Sequence, residues 1–479
     1  MKRKIFSAIV AVSGLALTAC ASADFKHDAV LYHGFSHINP EEERIVPNAW
    51  MVVSGEKIVN VGSGSPPAGN FAERRDLSGL YAMPGLIDAH GHIAAGAHKI
   101  ELIDGAPAVT IESVDEMTRF HAQNALAFGV TTVRNPGSDP QANARYDENV
   151  ANGTWIGPEA LHAGAIIQPP PFTGGAFAYP RTDEEWDREA ARQAALGMTH
   201  FKLYVSLSEE ELAKGIKAAH KHGLKAIAHL DGVSWTSAAR LGIDGLEHAL
   251  PTSPDLLEPG AREEYLASLG PDSKFMYRWF ELADFDGPLF QELLALLVDN
   301  QVEINLTLGV NELTFNVDKV DQIWPPEDRR YIHAEALAGS LSFMQAGAAA
   351  WTPEDYDRAR AAWPKVQEFA KRLYDAGVPM MIGTDGFGGG PQLAHEMELH
   401  VDAGIPVWAV LRMATSDAAE LLGMGDRTGA IAANMEADVV FLRANPVENV
   451  LNISSAAYVL SNGVGYAFDE LARTNDQPQ

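Results

Sequence analysis

Tyr81-Ala82-Met83-Pro84-Gly85-Leu86-Ile87-Asp88-Ala89-His90-Gly91-His92 is the stretch on which the reading of this chain turns. It reads as a short apolar strand that ends in two histidines spaced i, i+2. Side chains two apart on a strand project to one face, so both imidazoles can reach a single metal ion. Met83-Pro84-Gly85, at its start, is turn chemistry and suits a chain crossing from one domain into a barrel. A bare His-x-His arises often by chance. Set behind Pro-Gly-Leu-Ile-Asp-Ala it is far more specific, and it directs attention to later segments that could supply further ligands.

Beyond this stretch the chain alternates strands and helices, the mark of a parallel sheet with helical crossovers. Strands are predicted near Tyr81–His90, Val130–Arg134, Ala160–Ile167, His200–Tyr204, Lys225–His229, Gly245–His248, Val302–Leu308 and Pro379–Asp385. Eight is the number in a (β/α)8 TIM barrel. Helices are predicted over Ser113–Phe128, Asp183–Leu196, Glu209–His222 and Pro364–Ala376, with Ser208 and Glu211 spaced for a capping box. The connections 251–300 and 309–363 are long enough to carry function or helices of their own. Glu263–Ala267 and Gln291–Leu297 look helical, so lids over the site are expected there.

Both ends are rich in strands: Ala29–Tyr32, Trp50–Val53 and Lys57–Val61 at one, Ala437–Leu442 at the other. The expected architecture is therefore α/β. A barrel over 85–425 is joined by a small β-sandwich domain that both termini build, from 24–84 and 426–479.

A chain of 479 residues, 46% of them hydrophobic, can bury a core of that size. A formal net charge of -28 argues against nucleic acid as a partner, because phosphate contacts need basic surface. At the amino terminus, the basic Met1-Lys2-Arg3-Lys4 precedes the apolar run Ile5 to Ala19. That run is shorter than the roughly 20 residues a bilayer span requires, so a secretory signal over 1–20 is expected. It closes on Leu17-Thr18-Ala19-Cys20, which looks like a bacterial lipoprotein cleavage box. Cys20 is the only cysteine, so no intramolecular disulfide can form. Its expected use is as a lipidated first residue, anchoring the mature chain to a membrane of the cell envelope. Ordinary cleavage after Ala21-Ser22-Ala23, leaving a soluble periplasmic protein, is the alternative. Assembly into a homo-oligomer stays open.

The ends of the later strands carry Lys202 in Phe201-Lys202-Leu203-Tyr204, His229 in Ala226-Ile227-Ala228-His229, and His248 in Leu246-Glu247-His248. The last carries Asp385 in Ile382-Gly383-Thr384-Asp385-Gly386. Each has a plainer reading alone: a buried structural histidine, a solvated lysine, a turn aspartate. The order His-x-His, Lys, His, His, Asp is what adds specificity. With it, with Pro-Gly-Leu-Ile-Asp-Ala-His-x-His, and with Gly429-Ala430-Ile431 and Ala437-Asp438-Val439-Val440, the chain resembles the amidohydrolase superfamily of metal-dependent hydrolases. Glu396–Gly404 and Leu411–Gly423 make it most similar to the prolidase and imidazolonepropionase-like branch.

The resemblance implies a site for two divalent metal ions, with a donor set that suits zinc. His90, His92 and Asp385 would hold the deeper ion, His229 and His248 the outer one. Lys202, carboxylated by carbon dioxide, would bridge them; unmodified, it would leave a site for one. Two ions roughly 3.5–4 Å apart activate a water and polarise a carbonyl. Asp385 would orient that water, take its proton and pass it to the departing amine. Tyr204, two residues beyond Lys202, could hydrogen-bond a substrate carboxylate or an oxyanion, or be a rim residue. Gly386-Phe387-Gly388-Gly389-Gly390 is expected to be a mobile loop at the mouth, and His395 to be structural. His162, His200, His220, His222, His333 and His400 are read as non-ligands. The family often has Asp where this chain has Asn135, a supporting position. The implied activity is hydrolysis of a C–N amide bond in a small-molecule or peptide substrate: a dipeptide, a C-terminal residue or an N-acyl amino acid. The alternatives are ester, lactone or phosphotriester hydrolysis at the same site, or a non-catalytic lipoprotein that binds a small molecule.

Overall fold

The computed structural model describes residues 28–103, 106–270, 272–388 and 390–476. The expected signal segment with Cys20, the alternative cleavage site and Gly389 lie outside the described residues.

Eight parallel strands close into a barrel. They are Leu86–Asp88, Val130–Asn135, the pair Glu159–His162 and Ile166–Ile167, His200–Leu203, Lys225–Ala228, Gly245–Glu247, Glu303–Asn305 and Met380–Met381. Each is paired in parallel with the next. The seam is closed by a parallel bridge between Gly91 and Gly386 and by Ala89 N–H donating to Ile382 O at 2.8 Å. Strands covered on both faces read as continuous apolar runs, which is why Ala226-Ile227-Ala228 and Gly245-Leu246 are fully buried.

The single strand predicted over Tyr81–His90 is in fact two. Tyr81–Pro84 pairs antiparallel with Val439–Leu442 and parallel with Val30–Asn39, outside the barrel. Leu86–Asp88 then joins the barrel beside Val130–Asn135. The break falls at Gly85, where a Cβ would lie 2.1 Å from Thr131 Oγ1; only glycine lets the chain pass so close. His90 and His92 consequently follow the strand rather than forming part of it.

The terminal strands make one eight-stranded sheet. It curls until Lys57 on its edge strand bridges Glu436, and Ala437 N–H donates to Glu56 O at 2.8 Å. The two halves thus face each other around Tyr32, Phe35, Met51, Ile58, Phe441 and Leu460.

Three further features differ from the sequence reading. The helix expected to start at Pro364 starts at Pro353 and runs to Ala376, with Pro364 inside it. An interior proline costs about 3 kcal/mol. The Thr352–Asp355 capping box and the buried face of Ala359, Ala362, Val366, Phe369 and Leu373 offset that cost. Of the two expected lid segments, Gln291–Leu297 lies in Pro288–Asp299, which packs on Trp235–Leu241 as an ordinary outer helix. Glu263–Ala267 lies in Pro259–Ser268.

Finally, an unpredicted hairpin of His98–Ile103 and Ala106–Ile111 follows the first barrel strand, and Phe172–Thr173 pairs with it. Its signal was present in the alternation around Asp104-Gly105. The helix Ala334–Gly347 seats on the hairpin so closely that a Cβ on Gly339 would meet His98 N at 2.8 Å.

Candidate metal centre

The barrel gathers all six expected ligands at the C-terminal ends of its strands, the end at which such barrels carry chemistry. His90, His92 and Asp385 place ligand-capable atoms within 4.8 Å of one another. The His90 and His248 rings lie 4.8 Å apart, and those of His229 and His248 4.4 Å. The Lys202 Nζ lies 5.9 Å from the Tyr204 ring, which in turn stands edge-on to His229 at 4.9 Å.

Backbone strain marks the same rim. His248, Thr307 and Asp385, at the ends of the last three strands, have φ of 67°, 42° and 53°. Such conformations cost of order 1–3 kcal/mol each and persist only where surrounding bonds enforce them. His248 N–H donates to Asn305 O at 2.7 Å, and Asp385 N–H to His90 O at 2.8 Å. Asp88, fully buried, accepts from His90 N–H and Thr384 N–H at 3.1 Å and from the Thr384 hydroxyl at 2.9 Å. It thereby ties the His-x-His segment to the segment carrying Asp385.

The donor set fits a cation. His90 Nδ1–H donates to Glu247 Oε2 at 2.5 Å, and His92 Nδ1–H to Gly137 O at 3.0 Å. Each Nε2 is then left with its lone pair, and both face Asp385 Oδ1, at 3.0 and 3.2 Å. Two nitrogen lone pairs against one carboxylate oxygen repel unless positive charge stands between them. For His90 a proton answers the same need: burial opposes the imidazolium, but Glu247 and Asp385 raise it above the ordinary histidine value.

Burial drives His229 down to about 3 and His248 well below its usual range, so both rings are neutral and can ligate. Burial alone would push the Asp385 carboxyl up. The imidazoles of His248, His90 and His92 nevertheless hold it well below the carboxylate range. Lys202 is 2% exposed and its Nζ has no hydrogen-bond partner. Burial lowers it to about 8, against the pull of Glu247 and Asp385.

Sequence reasoning missed the support beneath His90. Glu247, 1% exposed, bridges His90 Nδ1 and Arg134 Nη2 (2.7 Å), while Arg134 Nε donates to Ala89 O at 2.5 Å. A carboxylate behind a ligand histidine fixes its tautomer and raises its basicity. The only hint was a charged residue inside an otherwise apolar strand. Glu247→Gln is expected to keep the fold and weaken metal affinity about 10–100-fold. Glu247→Ala, which strands Arg134 in the interior, should cost about 3–5 kcal/mol of stability. Chelator competition and thermal unfolding read these two effects separately, and an unchanged affinity in Glu247→Gln would refute the supporting role.

The other expectations fall as follows. Tyr204 lies at the rim with Phe172 6.3 Å away, and burial pushes its phenol up, so it stays a donor. In the glycine-rich segment Gly386 bridges Gly91, and the buried Phe387 stacks on His121 at 4.5 Å, so these two residues are held in place. His395 stands outside the cluster, its Nε2 2.5 Å from Glu312, and that contact raises it to about 9 despite burial. Asn135 is explained by its neighbours. Its Nδ2 reaches Ser138 Oγ, Asn143 Oδ1 and His162 Nδ1 at 2.9–3.1 Å, and a carboxylate there would have no proton to give.

Residues 81–269 and 323–464 match the model of the Amidohydrolase family, and the chain belongs to that family. It is similar to an imidazolonepropionase of Alkaliphilus metalliredigens, 24% identical over 273 residues, 49% of this chain and 65% of the relative. The matched stretch thus spans a little under two thirds of that relative's length. Among solved structures, a Xaa-Pro dipeptidase with bound methionine superposes with a TM-score of 0.66 at 19% identity, covering 92% of this chain and all of the other. An A. niger ochratoxinase does so with a TM-score of 0.63 at 18% identity, covering 92% and 96%.

Proposed function

We propose that this chain is a metal-dependent amidohydrolase that cleaves a C–N bond in a dipeptide, at a C-terminal residue or in an N-acyl amino acid. The observation that carries the reading is the convergence of the His90 and His92 lone pairs on the Asp385 carboxylate at the barrel mouth, beside two neutral imidazoles and a buried, unpartnered lysine. Membership of the family and likeness to a dipeptidase fold support the choice of an amide over an ester.

His90, His92 and Asp385 would hold one divalent ion, and His229 and His248 a second, with Lys202 carboxylated between them. Metal held there supplies Lewis acidity and lowers the pKa of water at the site. The remaining steps belong to the protein. Asp385, kept ionised by its neighbours, accepts the proton of the attacking water and delivers it to the leaving amine nitrogen. Tyr204, a retained O–H donor beside His229, would hydrogen-bond a carbonyl oxygen as it gains charge or a substrate carboxylate. Phe172 and Tyr204, their rings 6.3 Å apart, offer aromatic surface on that side.

Metal analysis beside a panel of dipeptides, N-acyl amino acids, esters, lactones and phosphotriesters tests this. The expected result is close to two metal equivalents and amide turnover exceeding that of the oxygen esters. Ester or phosphotriester turnover in excess of every amide would overturn the substrate class. Metal-loaded protein that binds a small molecule and turns over nothing would overturn the enzyme.

A further inference from the structure

Glu396 takes no part in the scheme above, yet it is a carboxylate only 2% exposed, in the helix Pro391–Asp402. Its Oε1 accepts Leu308 N–H at 2.7 Å and its Oε2 accepts Gly309 N–H at 2.8 Å. These are the first two residues of the helix Leu308–Phe315, whose N-cap residue is Thr307. A threonine there ordinarily turns its own hydroxyl onto the first free amides of the helix. Thr307 makes no such bond. Its Oγ1 instead lies 2.8 Å from His248 Nδ1, and its φ of 42° is one that β-branched residues rarely adopt.

We infer that Glu396 is a positioning residue for the ligand His248 and acts through Thr307. By capping the helix in place of Thr307, it frees the hydroxyl to fix the plane of the imidazole, and it holds the strained turn that aims that hydroxyl. Burial pushes the Glu396 carboxyl up to about 8, so what holds the turn is the pair of hydrogen bonds it accepts from the first two free amides of the helix, at 2.7 and 2.8 Å, rather than a full charge. The hydroxyl contact leaves Nε2 of the ring as the free nitrogen, the arrangement a ligand histidine needs. The inference rests on His248 binding metal, as in the proposed function.

The test is zinc or cobalt(II) affinity of the metal-stripped full chain, measured by chelator competition, with thermal unfolding alongside. Glu396→Gln keeps one acceptor and the side chain's volume; Glu396→Asp keeps the carboxyl group but falls short of the amides. Each is expected to weaken one metal equivalent about 10–100-fold, the range for lost support behind a ligand. Thr307→Val should do the same, Thr307→Ser should stay near wild type, and Glu396→Gln with Thr307→Val should be no worse than either alone, since the two act in series. Unchanged affinity with only a lowered Tm, in whichever Glu396 variant folds, would overturn the inference, as would effects that multiply in the double variant. Wild-type protein that takes up no divalent metal would remove the proposed function along with it. Tight wild-type binding that Glu396 variants leave untouched would remove this inference alone.

Discussion

Asp385→Asn is expected to lower turnover by about 10²–10⁴-fold, the usual contribution of a positioned acid–base group, with metal largely retained and Tm little changed. The substitution suits the site for a backbone reason. Asp385 has a φ of 53°, and asparagine is among the few residues that adopt this region readily. The amide oxygen of Asn can take the place of Oδ1, which lies between His90 and His92. What disappears is the second carboxylate oxygen, 4.0 Å from His248 Nδ1, and with it the capacity to hold a proton between attack and departure of the amine. Asp385→Ala is the less informative variant, because it removes a ligand and strains the backbone at once. The loss in Asp385→Asn should lie in kcat more than in KM, since the interaction is made in the transition state. Near-normal turnover by the Asn variant, with metal bound, would sink the assigned role of Asp385.

That such a variant can be chosen from sequence reflects which features of this fold are local. His90, His92, Lys202, His229, His248 and Asp385 were readable because each sits at or just beyond a strand end, and the barrel converts their order along the chain into a ring. Strand ends are marked by short-range signals, a run of buried apolar residues stopping at a polar one. The break at Gly85 was partly readable, as Pro-Gly turn chemistry, but its cause is a contact with Thr131 on the neighbouring strand. Arg134 and Glu247 were not readable. They are 113 residues apart, and their meeting depends on which face of two separate strands turns inward. The stacking of Phe387 on His121 and the capping of Leu308 by Glu396 are likewise contacts between distant segments, with no periodicity to announce them. The helix start at Pro353 was masked by Pro364, since proline marks a helix beginning more often than a helix interior. The hairpin 98–111, by contrast, was overlooked although its alternation and Asp-Gly pair stood in the sequence.

Lys202→Ala is expected to remove at least one equivalent of metal and to lower turnover by about 10³-fold, equivalent to roughly 4 kcal/mol of lost transition-state stabilisation. The argument begins with what an unmodified lysine would do at this position. Its Nζ is buried without a partner, near the His229 and His248 imidazoles and within the pull of the Glu247 and Asp385 carboxylates. An ammonium there pays desolvation and repels any cation the histidines bind. With its pKa lowered to about 8, about a tenth of the amine is deprotonated at pH 7, far more than for an ordinary lysine, and that fraction can add carbon dioxide, releasing a proton and leaving a carbamate. The addition turns a repelling charge into two oxygen donors of the opposite sign. A short carboxylic acid such as acetate or propionate offers the same two oxygens, and the alanine variant leaves the space that the lysine stem filled. Added acetate should therefore restore part of both metal uptake and turnover to Lys202→Ala, and none to Lys202→Met, whose side chain keeps that space occupied. Wild-type protein in labelled bicarbonate should give a carbamate carbon signal that both variants lack. Unchanged metal content in Lys202→Ala would show that Lys202 contributes no ligand and that the histidines and Asp385 hold the metal alone.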